Sequence, residues 1–217
     1  MALAGVSPCF LYVMAVRAPA DSRQRLKSES GFIGAMTIYL AESAKIIGDV
    51  SIRGGSSIWH GAVLRADLDR IAIGSYTNIQ DNAVIHLDLD FSAIIGDRVT
   101  VGHLAIVHGC SIGSDCVIGM GAAIGNDAVI GDWSIVAPGA VVTESSKFPK
   151  NSVIAGVPAK TVRQVDGRLK DRIEASWKIY HELAKKSLNA AHDMAGDESK
   201  RIKVDVAGEI ASIIRKR

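Results

Sequence analysis

An all-β solenoid, a chain wound into stacked triangular coils with one helix laid alongside, is the fold class this sequence predicts. Three observations predict it. Aliphatic–glycine pairs recur along the middle of the chain: Ile47-Gly48, Ile73-Gly74, Ile95-Gly96, Val101-Gly102, Ile112-Gly113, Ile118-Gly119, Ile124-Gly125 and Ile130-Gly131. Between Ile112 and Val142 the aliphatic position returns every six residues without a slip, and four residues after each stands a small side chain: Cys116, Ala122, Ala128, Ser134, Ala140 and Ser146. Composition agrees: 48% of the 217 residues are hydrophobic, only 5% are aromatic and 21 are glycine, which suits closely stacked strands of small and β-branched side chains.

A period of six is neither the 3.6 of a helix nor the 2 of a lone strand. It fits a chain that turns a corner every six residues, so that three hexads close one triangular coil. The aliphatic residue points into the prism, the small one fits beside it near a corner, and glycine is expected to permit the turn geometry. Stacked coils pair as short parallel strands around a continuous column, the hexapeptide-repeat β-helix among the solenoids. Residues 46–160 hold roughly six coils at about 18 residues each.

The elements follow in order. Residues 1–35 do not match the repeat; they are mildly apolar to residue 16 and then polar, with Arg17, Arg23, Arg25 and Lys27. They read as an N-terminal extension, either a disordered lead or a start assigned upstream of Met36, with a targeting peptide as the alternative. The β-helix domain is expected over 36–165, opening with Ile38-Tyr39-Leu40 as its first strand. Its repeat fades through 145–149 and ends at Gly156-Val157-Pro158-Ala159-Lys160. Over 166–188, Leu169, Ile173, Trp177, Tyr180 and Leu183 or Ala184 fall at steps of three and four. That single apolar stripe predicts a C-terminal α-helix packed on one face of the prism. Residues 189–217 read as a charged tail.

A formal net charge of +2 gives no sign of a nucleic-acid partner, and no apolar run is long enough to span a bilayer. The three cysteines, Cys9, Cys110 and Cys116, are an odd number without framework spacing, which favours a reduced, cytoplasmic setting. Cys110 and Cys116 read as small core residues.

Three of the six histidines, His86, His103 and His108, fall within 79–110, close to Gln80, Asp81 and Asp88. Ile85 and Val107 both occupy the inward position, so His86 and His108, each the next residue, belong to one class. They are 22 residues apart, four more than one coil, and the polar stretch 88–92 absorbs the excess as a loop. The two rings should then lie on one face, one coil above the other, near the ~4.8 Å spacing of adjacent strands. His103 sits across a corner from both. Two chains side by side in a three-fold ring would bring His103 of one to His86 and His108 of its neighbour, so a homotrimer with interfacial sites is predicted. Three neutral imidazoles suit Zn²⁺ with a fourth position open, and the same donors accept Fe²⁺ or Co²⁺. Gln80 and Asp81 are placed to orient a bound water or the ligands. His60 reads as structural, and His181 and His192 as solvated surface.

Several short motifs then carry a resemblance: V-L-R-A-D at 63–67, N-I-Q-D-N at 78–82, His86, V-G-H at 101–103, V-H-G-C at 107–110, I-G-M at 118–120 and G-V-P-A-K at 156–160. Together, over residues 37 to about 185, they resemble the gamma-class carbonic anhydrase family, including its shorter homologues called ferripyochelin-binding proteins. The resemblance implies a left-handed β-helix, a homotrimer, and interfacial zinc or ferrous iron held by His86, His103 and His108. It implies reversible hydration of CO2 to bicarbonate by a metal-bound hydroxide. It gives Gln80 the role of holding the hydroxide or CO2, and places Arg65, Asp67 and Asp81 in an ion-pair network across the interface. The long acidic loop of the best-characterised members, with its glutamate proton shuttle, is here only 87–92, with Asp88 and Asp90 and no glutamate, and Leu68 replaces a second glutamate. Turnover is therefore expected to be slow, or to depend on Asp88 or on buffer. The competing functions are a thioesterase-type hydrolase on the same metal site, a metal-binding or assembly protein with little catalysis, and a hexapeptide acyltransferase, in which G-V-P-A-K also occurs.

Overall fold

A computed structural model of the chain describes residues 38–189, so the expectations for 1–35 and 190–217 fall outside the described residues. Among these, eighteen short strands precede one helix, α1 (Gly167–Asn189). The strands stack coil on coil in parallel, in about six turns, as the hexapeptide-repeat β-helix requires.

The hexads become three aliphatic columns inside the prism. Ile58, Ile79, Val101, Ile118, Val136 and Ile154 line the first face. Leu64, Ile85, Val107, Ile124 and Val142 line the second. Ile73, Ile95, Ile112 and Ile130 line the third. Each of these side chains is buried, and each contributes about 1.5–3 kcal/mol relative to exposure. Ala83, Ala105, Ala122, Ala140 and Cys116 fill the narrow space beside them. Burial pushes the Cys110 and Cys116 thiols up to about 12, so both are inert core residues, as expected.

One eight-stranded sheet forms the first face. The second and third faces share a ten-stranded sheet because the strand Val63–Ile73 runs unbroken around their common corner. Its first half pairs with Val84–His86 and its second half with Ala93–Ile95.

Two readings of the repeat are corrected. Ile47 is not an inward residue: it pairs with Arg65 and is 46% exposed, while its neighbour Ile46 pairs with Leu64 and packs on the core. The pairing of Lys45–Ile52 shifts by three residues between Gly48 and Val50, from Ala66 to Ile71, but Ile46 keeps the ordinary 18-residue step to Leu64; the aliphatic–glycine pair here simply follows the inward residue by one position. Apart from Gly48 (φ 81), the glycines of the aliphatic–glycine pairs also serve a different purpose. Corners are turned in the left-handed region by Gly61, Gly121 and Gly139, which lie outside the aliphatic–glycine pairs, and by the L-residues Asn82 (φ 58) and Leu104 (φ 61). The Asn82 and Leu104 backbone N–H groups donate to His60 and Asp81 carbonyls of the preceding coil, which supports a conformation that L-residues otherwise avoid. Glycine follows the aliphatic residue because successive coils touch there. A Cβ on Gly119 would lie 2.4 Å from the Pro138 nitrogen, and one on Gly96 2.7 Å from the Ser114 nitrogen.

The solenoid ends in an antiparallel hairpin, Ser152–Gly156 with Ala159–Gln164, joined through a cis Val157–Pro158 bond. Helix α1 starts where Asp166 Oδ1 accepts the Leu169 N–H at 2.9 Å, a side-chain cap on an otherwise orphan donor. Leu169 and Ile173 bury against Val117, Trp133, Ile135 and Val153 on the outside of the first face. The helix then continues along the stack towards the first coils. There Trp177 meets Tyr76, and Tyr180 meets Trp59 edge-on. His181, expected as solvated surface, is half-buried instead: its Nδ1–H donates to the Gly55 carbonyl at 3.2 Å and its ring lies against Tyr76. No helix among the described residues is long and apolar enough to cross a membrane.

Candidate metal centre

The second face carries histidines at both of its edges. His86 and His108 end the strands Val84–His86 and Ile106–His108 and are direct partners in the register between them. The loop 87–92 absorbs the four extra residues, as the spacing predicts. His86 Nδ1 lies 3.1 Å from His108 Nε2.

The partners of the other two ring nitrogens assign the protons. His86 Nε2–H donates to Asp67 Oδ1 at 3.0 Å, and Arg65 pairs with the same carboxylate. Burial opposes charge on Asp67, but the hydrogen bonds from His86 and Arg65 outweigh it and hold the carboxyl below its ordinary value. His108 Nδ1 lies 2.8 Å from Asn126 Oδ1, and Asn126 Nδ2 donates to Asp88 Oδ2 at 2.7 Å. An ionised carboxylate only accepts, so Asp88 turns the Asn126 amide with its carbonyl towards His108, and His108 Nδ1 carries the proton. Each ring therefore keeps one lone pair, on His86 Nδ1 and on His108 Nε2, and the two lone pairs face one another. Two acceptors at this distance repel unless a cation lies between them. An imidazole whose far nitrogen is fixed by a carboxylate or amide oxygen is the arrangement found around bound metal ions, so the residues fit a divalent ion.

At the opposite edge of the face, His103 occupies the corner column one coil after Asp81. Its Nδ1 is 2.9 Å from Asp81 Oδ2, which leaves the Nε2 lone pair, and Tyr180 of α1 donates its hydroxyl to that nitrogen at 3.2 Å. Burial, and then the Asp81 charge, push the Tyr180 phenol above its ordinary value and keep it a neutral donor. Gln80 is almost fully buried; its Oε1 accepts the His103 backbone N–H at 3.2 Å and its Nε2 donates to Asn78 Oδ1 at 3.1 Å. One amide N–H and one carbonyl lone pair of Gln80 remain uncommitted.

The structure thus groups Arg65, Asp67, His86, Asp88 and His108 at one edge, and Gln80, Asp81 and His103 at the other. Among the described residues, no three His, Cys, Asp or Glu side chains of one chain close on a common point. Between the two groups the outer surface is apolar and bare: Leu104, Ile106 and Met120 are 64%, 45% and 56% exposed. Two contributors escaped the sequence reading. Asn126 stacks beneath Gly109, because Val107 pairs with Ile124 at this step; following that register past His108 would have found it. Tyr180 is placed by how α1 docks, which no periodicity in the helix encodes.

A family model described as bacterial transferase hexapeptide (six repeats) matches residues 109–144. The chain is 46% identical over 128 residues to a Methanocaldococcus jannaschii protein named "Probable carbonic anhydrase", covering 59% of this chain and 80% of that protein. It is 41% identical over 153 residues to "Gamma carbonic anhydrase 2, mitochondrial" of Arabidopsis thaliana, covering 68% of this chain and 55% of the relative. It therefore spans only about half the length of the Arabidopsis relatives it matches. Among solved structures it is similar to a hexapeptide transferase family protein from Anaplasma phagocytophilum, with 35% identity and a TM-score of 0.62 over 69% of this chain and 92% of that one. The repeat, the paired histidines and this identity over four-fifths of a relative place the chain in the gamma carbonic anhydrase family.

Proposed function

We propose that the chain hydrates CO2 reversibly to bicarbonate at a divalent metal ion shared between neighbouring copies of a homotrimer. The observation that carries this reading is the pair of lone pairs on His86 Nδ1 and His108 Nε2, aimed at one another at 3.1 Å with both far nitrogens already held. His103 of an adjacent copy would supply the third imidazole through Nε2, the ion taking the place of the Tyr180 hydroxyl that meets this nitrogen in the single chain, since its own chain holds it away from the other two. The bare apolar strip of Leu104, Ile106 and Met120 lies between the two histidine groups, and a second copy seated there would cover it and bring the groups together.

A Zn²⁺, Fe²⁺ or Co²⁺ ion in such a site lowers the pKa of a coordinated water from about 15.7 to ~7 and so supplies a nucleophile near neutral pH. The chain's residues do the rest. Asp67, Asp81 and Asn126 keep the ring protons on the far nitrogens. Gln80, with one N–H and one lone pair free beside His103, orients CO2 or the attacking water. Tyr180 adds a neutral hydroxyl at the same edge. Asp88 is exposed and has one carboxylate oxygen left over from Asn126, so the released proton passes to it or directly to buffer. Cytoplasmic placement, read from the cysteines, belongs to the proposal; the Arabidopsis relative is named as mitochondrial.

The experiment is stopped-flow CO2 hydration by the full chain, prepared with Zn²⁺ and, anaerobically, with Fe²⁺, with metal quantified per chain. The reading expects one ion per chain, activity that disappears with chelator and returns with metal, and a rate that rises with buffer concentration. Activity that survives complete metal removal overturns it. Acyl transfer is the second reading, favoured by the hexapeptide transferase match and the Anaplasma relative. A chain that binds no metal yet transfers an acyl group would establish it.

A further inference from the structure

We propose that Asn126, locked by Asp88, is a positioning residue that sets the tautomer of His108 and aims its Nε2 lone pair at His86. The consequence for metal affinity rests on the metal-site reading; the tautomer itself does not.

The inference starts from burial. Asn126 is 8% exposed and carries one hydrogen bond on each side of its amide, to His108 at 2.8 Å and to Asp88 at 2.7 Å. A buried amide between an imidazole and open space could face either way. Facing one way it accepts from Nδ1–H; facing the other it donates to a bare Nδ1 and forces the proton onto Nε2, where it blocks the lone pair. Asp88 removes the choice, because only an N–H can satisfy its oxygen. The slot is also shaped for this amide. Gly109, in the left-handed region with φ 50, sits directly against it, and a Cβ there would lie 2.2 Å from Asn126 Oδ1. The same Cβ would lie 2.8 Å from Phe91 Cβ, so Gly109 admits both the amide and the loop that carries Asp88. The short loop 87–92 therefore acts as a brace for His108 and is not merely a shortened connection.

The relay makes a polarity prediction that packing does not. In the D88N/N126D double variant the amide and the carboxylate change places, with net charge unchanged. The new carboxylate still accepts from His108 Nδ1–H and still meets an N–H from the loop, so the polarity at His108 is preserved. N126L keeps the branched heavy-atom shape and removes both bonds. D88A, a change at an exposed residue, leaves the amide free to turn.

The test is carried out on the full chain. Long-range ¹H–¹⁵N histidine spectra of the metal-free protein report each ring's tautomer, with His108 assigned by its loss in H108Q. Metal dissociation constants for Zn²⁺ come from competition with a chromophoric chelator. The expected results are an Nδ1-protonated His108 in the wild type, an Nε2-protonated or mixed ring in N126L and D88A, and a dissociation constant raised roughly 10–100-fold in N126L. The double variant should return the wild-type tautomer and bind within a few-fold of wild type. An Nε2-protonated His108 in the wild type overturns the proposal, as does a folded N126L or D88A with unchanged tautomer. If the wild type binds no metal, the metal-site reading fails, and the spectra still decide for or against Asn126.

Discussion

The first and second faces of the prism come from the same repeat but are finished in different ways. On the first, the outward residues Val117, Ile135 and Val153 are covered by Leu169 and Ile173 of α1, and Thr100 is tied to Asn78 and to Ser176 of the helix. On the second, Leu104, Ile106 and Met120 stay open, and the polar groups gather at the two edges, where each histidine has one nitrogen held by Asp67, Asp81 or Asn126. An apolar face covered from within its own chain adds stability. One left bare, with histidines preset at its edges, is, in the function proposed above, finished by a second copy. Stability and chemistry are thus assigned to different faces of one prism.

The sharpest way to break this comparison is at the histidines. H108A should reduce metal content and CO2 hydration to background while the unfolding midpoint of the metal-free chain stays within a few degrees of wild type, as checked by metal analysis, stopped-flow and thermal melts. Next comes the bare face itself. I106E places three carboxylates where the copies should meet; light scattering should report a monomer, and metal should be lost although every histidine remains. The helix-covered face should respond in the opposite sense. I173A removes a fully buried side chain from the α1 contact and should cost about 2–5 kcal/mol in urea unfolding, with metal per chain unchanged.

The smallest effect concerns acid. The folded-state pKa of Asp67 lies below its ordinary 3.8. Its contribution to stability is therefore present above that value and is lost as pH falls through the lower folded-state value. Asp67 is partly exposed, so the contribution is worth no more than ~1 kcal/mol. The stability gap between wild type and D67N, followed by urea unfolding, should be constant at neutral pH and close in strong acid.

Much of this was legible in the chain. The unbroken hexads from Ile112 to Val142 state which residue points inward, and they carried the pairing of His86 with His108 and the separation of His103. They failed at Ile47, where the aliphatic–glycine pair follows the inward residue, Ile46, by one position. They gave the wrong reason for most glycines of the aliphatic–glycine pairs, because close contact between coils is a three-dimensional fact that a one-dimensional period does not display. Asn126 was within reach of the same counting, since it stacks under Gly109. Tyr180 was not, because its meeting with His103 depends on where a helix comes to rest on a surface.

The central claim is that one ion is gripped by two chains. H103A and H108A chains, each metal-free alone, can be co-expressed with different tags and assembled together. A shared site predicts that mixed trimers regain metal and activity at about a third of the wild-type level, about a quarter averaged over all randomly assembled trimers, because one interface in each mixed trimer then pairs an intact His103 with an intact His86 and His108. Mixed trimers that form yet remain without metal would place all the ligands within one chain and contradict the account.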